Sequence, residues 1–176
     1  MDNQPQQLVS VVSEIPDLVR QPAHFHFVAA LFWGTTAATL TVLLPFAGWD
    51  PMQALANIVG GMFFVGIFAG LFTLAGMLAI GLPTTALLRA VNAEHRFAYA
   101  AIGGVAGLSI TAISFQLPPR FDVEALVFPS AGGLAGFTAA LRWGRWREAL
   151  ARYRQQMAEA QEHPRKRSNP IHDLIH

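Results

Sequence analysis

The chain has 176 residues, 53% hydrophobic and only 13% charged, with a formal net charge of +1 and a mean hydropathy of +0.37. Soluble domains carry about 25% charged residues, so the usual supply is halved, and its uneven distribution excludes a soluble enzyme. Cysteine is absent, which excludes disulfides, iron–sulfur clusters and thiolate metal sites.

Four stretches, 21–49, 51–88, 97–119 and 125–141, contain no Asp, Glu, Lys or Arg and together hold 107 residues. A charge-free apolar run of roughly 18 residues is long enough to cross a bilayer. The expected fold is therefore all-α: a polytopic membrane protein, a compact bundle of four transmembrane helices with amphipathic cytoplasmic ends. Residues 1–24 form a cytoplasmic N-terminal segment, 25–143 the transmembrane domain, 144–163 a basic amphipathic helix and 164–176 a disordered tail.

In chain order, Leu8, Val11, Val12, Ile15 and Val19 recur at helical spacing and predict a short amphipathic helix over 6–19. No Lys or Arg occurs in the first nineteen residues, the reverse of a cleavable signal peptide. The first span is 27–46, stopped by Pro45, Gly48 and Asp50. Residues 51–88 would be roughly 57 Å long as one helix, nearly twice the hydrocarbon thickness. Pro83 removes a backbone donor, so a break is expected at Gly81-Leu82-Pro83, with a span at 57–80 and a short interfacial helix over 84–91. The third span is 97–115, ended by Gln116 and Pro118-Pro119. The fourth, 125–141, is short and rich in Gly and Ala; it spans if Arg142 snorkels and Trp143 marks the interface.

Lys and Arg number eleven on the side of both termini and one, Arg120, on the other. This bias sets orientation and places both termini in the cytoplasm. Beyond the fourth span, Trp143, Trp146, Leu150, Tyr153 and Met157 form one apolar helical stripe, flanked by Arg145, Arg147, Arg152 and Arg154. With Arg142, these arginines are candidates for lipid-headgroup contact; the stripe also suits packing on the protein's own face or a partner helix. The basic tail from Pro164 reads as a solvated flank and implies no nucleic-acid partner.

Intramembrane ionisable groups mark proton relays and ion paths, and none falls inside a predicted span. No HExxH or GxSxG motif occurs, and Ser130 has no histidine or acid near it in sequence; no catalytic residue is assigned and no cofactor is expected. His24, His26 and His95 fall near the cytoplasmic ends of the first and third spans at similar expected depth; they read as plain interfacial histidines, with His26 and His95 as the alternative candidates for a haem or metal ligand. Small residues dominate instead. Gly66/Gly70, Gly103/Gly107 and Gly132/Gly136 are GxxxG pairs, and Gly34/Ala38 is a similar pair; such spacing permits close helix packing. Gly103–Ser109 matches Gly132–Thr138 as a faint repeat. Thr35, Thr36, Thr39 and Thr41 crowd the first span, either lining a water path or bonding within helices.

Residues 81–89, GLPTTALLR, followed by a Gly/Ala-rich span, are similar to small bacterial inner-membrane proteins, a resemblance that implies location in the inner membrane but no activity. The expected role is non-catalytic: an accessory or assembly subunit, or a membrane-organising protein, partnered by lipids and by other membrane subunits or itself. The competing expectation is a small oligomeric transporter or pore using the Thr35–Thr41 stripe and the broken Gly81–Pro83 helix.

Overall fold

The computed structural model describes residues 17–46, 51–114 and 123–167. It is all-helical, with no strand among the described residues. A single turn, α1 (Asp17–Arg20), precedes α2 (Ala23–Leu43) and a 3-10 turn (Leu44–Phe46). Then come α3 (Pro51–Gly76), a π-helical stretch (Met77–Gly81), α4 (Leu82–Ala90), α5 (Arg96–Ser114) and α6 (Val123–Arg167). Among the described residues, three stretches are long and apolar enough to cross a membrane: Ala23–Leu43, Ala54–Ala90 and Arg96–Ser114. The expected fourth, 125–141, lies within α6 and is not among them; it is short, and Arg142 follows at once.

Helix α6 is central. One of its faces carries Ala131, Ala135 and Ala139, all buried, against Ala30, Gly34 and Ala38 of α2. A Cβ on Gly34 would lie 2.9 Å from the Ala139 Cβ and 3.0 Å from the Ala135 carbonyl, so the two backbones approach as closely as alanine and glycine permit. The adjacent face of α6 carries Gly132 and Gly136, which meet Gly107 and Gly103 of α5. A Cβ on any of these four glycines would run into the opposing helix: into the facing glycine's carbonyl at each, and also into Ala140 at Gly103 and Thr111 at Gly132. Ascending numbers in α5 pair with descending numbers in α6, so the helices are antiparallel. Without a hydrophobic drive between helices in lipid, such small-residue contact is what binds them.

The long α3 attaches along one edge of α2. Leu43 lies over Gly61, Thr39 over Gly66 and Thr35 over Gly70, again antiparallel. No residue in the most apolar window of Ala54–Ala90 is buried, so most of this helix faces outward.

Three expectations about helix ends are corrected. The break at Gly81–Pro83 is absent; the chain instead widens into a π turn over Met77–Gly81 and continues helically to Ala90. The ring of Pro83 would clash with the carbonyl four residues back, and a π turn is a way to accommodate that inside a helix. The expected division at 143–144 also falls inside α6, whose 45 residues span about 68 Å at 1.5 Å per residue. The helix runs through Pro164 to Arg167, where an unstructured tail was expected. Of the predicted N-terminal helix over 6–19, only Asp17–Val19 belong to the described residues, within α1.

Candidate functional site

Two places gather unusual side chains: the arginine-rich end of the bundle and a cleft within its apolar part. At the first, α4 ends in a hydrogen-bonded turn, with Ala93 N–H donating to the Leu88 carbonyl (2.9 Å) and Asn92 N–H to Arg89 (3.2 Å). Asn92 takes φ 53°, the left-handed position that closes such a helix end and that asparagine tolerates. This turn delivers Glu94, His95 and Arg96 to α6.

There Arg147 pairs with Glu94, its Nε donating at 3.1 Å, and both side chains are only 10% exposed. The Tyr99 hydroxyl donates to the same carboxylate at 3.5 Å. The next residue of α6, Glu148, accepts from the backbone N–H of Arg96, the first residue of α5, at 3.4 Å. A carboxylate is well placed at a helix N-terminus, where unpaired N–H groups and the dipole favour negative charge. Arg152 and His95 complete the ring around Glu148, the His95 Nδ1 standing at 3.8 Å.

The arginines considered for lipid headgroups therefore divide. Arg147 is turned inward to Glu94, which corrects its expected place among outward charges; Arg152 binds Glu148 yet stays 70% exposed. Arg145 and Arg154 are exposed, and the Arg142 Nε is buried with no partner among the described residues. The start of the apolar stripe packs on the protein itself. Trp146 stacks on His26 (ring centroids 5.3 Å apart) and leans on Trp143, which meets the edge of Phe27.

His26 and His95 occupy different surroundings. His26 is 1% exposed between Phe25 and Trp146, whereas His95 is exposed beside Glu148. Among the described residues no group of three His, Cys, Asp or Glu side chains is placed to hold a metal ion. Ser130 is exposed on α6.

The threonines of the spans turn back on their own helices. Thr36, Thr41, Thr73, Thr111 and Thr138 each donate to the carbonyl four residues earlier, at 2.7–2.8 Å. Thr35 and Thr39 instead lie against Gly70 and Gly66 of α3. Thr85 donates to the Gly81 carbonyl at the end of the π turn, and its oxygen accepts from Trp143 Nε1 at 3.1 Å, tying that turn to α6.

Between α3 and the other three long helices lies a cleft of about 540 Å³. Phe68 and Phe72 of α3, Ile80 of the π turn, Ile102 and Ile110 of α5, and Phe128 of α6 are on its wall, which carries no Asp, Glu, Lys, Arg or His. Its polar members, Thr84, Tyr99 and Trp143, gather toward the arginine-rich end, while Thr73 and Thr111 are engaged with their own backbones.

Reading the sequence alone misses Glu94 and Glu148, which sit among basic residues and look like local charge compensation. It also misses the Ala131/Ala135/Ala139 ridge, although that ridge has the same four-residue period as the glycine pairs. Compared with known proteins, the chain matches no family model, no curated protein and no solved structure.

Proposed function

We propose that this is a four-crossing protein of a bacterial inner membrane, with both termini cytoplasmic and a non-catalytic role as an accessory or assembly subunit or a membrane organiser. The fourth crossing is supported by the pairing of 131–139 with α2 and of 132–140 with α5, which sets this part of α6 at the depth of two helices long enough to span. The orientation rests on the distribution of Lys and Arg, and the inner-membrane location on the likeness of residues 81–89 to small bacterial inner-membrane proteins.

The observation that favours this role over a pore is the bonding of threonine hydroxyls to their own helices. A water path needs polar groups free toward a lumen; here five of them are bonded to their own helices, Thr35 and Thr39 lie against glycines, and of these seven only the Thr39 hydroxyl is buried without a partner among the described residues. A second reading, a small transporter, is favoured by one feature: the π turn borders the cleft, and such turns recur at functional sites.

Native mass spectrometry of the tagged chain, extracted gently from its own membrane, separates the two. A reproducible mass containing other protein subunits is expected. A homo-oligomer retaining a small polar molecule would favour transport, and a bare monomer would overturn the accessory role.

A further inference from the structure

We propose that the cleft holds one acyl chain of an anionic phospholipid as a resident part of the fold, with the phosphate at the arginine-rich end. This goes beyond the accessory role and stands whether or not other subunits are present.

Size decides first. At about 540 Å³ the cleft falls within the 300–1,000 Å³ that is about the size of small-ligand sites. Polarity decides next. The wall has no Asp, Glu, Lys, Arg or His, and Thr73 and Thr111 are bonded to their own helices, so most of the cleft offers contact only to hydrocarbon. A gap of this size left empty along four helices would forfeit dispersion contacts over its whole surface.

The cleft is also polarised along its length. Tyr99 and Trp143, side chains suited to the headgroup level, lie at one end with Thr84. Beyond that end, Arg89 and Arg145 are exposed on α4 and α6. An amphiphile with an apolar tail and an anionic head matches this order, because basic residues beside spanning helices attract anionic headgroups.

Two glycines supply the test. Gly76 lines the cleft, and a Cβ there would meet nothing within 4 Å; Gly60 is equally open but lies outside the lining. Full-length wild type, Gly76→Leu and Gly60→Leu are placed in phosphatidylethanolamine vesicles containing phosphatidylglycerol with a diazirine on one acyl tail. They are photolysed, and labelled residues are mapped. In wild type and Gly60→Leu, Ile80, Ile102 and Phe128 should label at least fivefold above outward-facing Phe63. Gly76→Leu should abolish that excess while leaving Phe63 labelling unchanged.

Equal labelling of cleft and outer residues, or an excess that survives Gly76→Leu with normal Phe63 labelling, overturns the proposal. If Gly76→Leu alters Phe63 labelling as well, competition in the wild type decides. Unlabelled phosphatidylglycerol should remove the excess; removal by an isoprenoid quinone but not by phosphatidylglycerol assigns the cleft to another lipid and overturns the proposal.

Discussion

At the residue scale, Gly103 and Gly107 of α5 and Gly132 and Gly136 of α6 are the least replaceable glycines described. A methyl group on Gly107 already runs into the Gly132 backbone, and neither helix can yield without losing the contact at Gly103 and Gly136. Overpacking a close-packed interior costs about 1–3 kcal/mol, occasionally more, and collision with backbone belongs at the top of that range. Gly107→Leu should therefore lower thermal stability by about 3 kcal/mol or more and reduce the yield of folded protein, while Ala112→Leu stays within about 1 kcal/mol. Thermal unfolding in detergent measures both; equal effects would show that this contact is incidental. The glycine pairs themselves are legible in the sequence, because a four-residue period is visible in one helix. Which pair faces which is not, since close approach is a property of two helices and small residues match many partners equally well.

At the element scale, α4, the turn after it and α6 are joined by charge. Glu94 and Arg147 are almost wholly removed from solvent, and removing one member leaves the other buried and uncompensated, at a cost of about 3–5 kcal/mol. Glu148 and Arg152 are also paired, yet the arginine is mostly exposed, and such pairs contribute about 0–1 kcal/mol. Arg147→Ala should thus destabilise the fold far more than Arg152→Ala in the same unfolding experiment. Comparable losses would mean that the arginine-rich end is not organised by the buried pair. In the sequence these arginines form a uniform basic stripe, and nothing in their spacing separates an inward from an outward one. The separation comes from Glu94, 53 residues away, and long-range pairing leaves no local signature. The π turn is legible only as a disturbance: Pro83 announces that a regular helix cannot pass unchanged, but not whether the chain breaks or widens.

At the scale of the whole molecule, the charge-free runs expose the helical, membrane-crossing class because they are long compared with any single contact. Depth along the bilayer is set instead by pairing, and the pairing of α6 with α2 and α5 predicts that Arg20 and Arg154 lie on the same side. The chain has no native cysteine, so Arg20→Cys and Arg154→Cys report sidedness cleanly with a membrane-impermeant maleimide. Labelling of both from the same face is expected; labelling from opposite faces would leave three crossings.

The central position of α6 has a temporal consequence. Helices α2 and α5 meet chiefly through α6, the last of the described helices to leave the ribosome. At about 5–20 residues per second, the translocation machinery must hold α2, α3 and α5 for seconds before the element that joins them arrives. The shortness of 125–141, 17 residues before Arg142, then fits its place in the order of synthesis: it meets two glycine- and alanine-lined partners already in place, and docking on them supplies what a short apolar run alone does not.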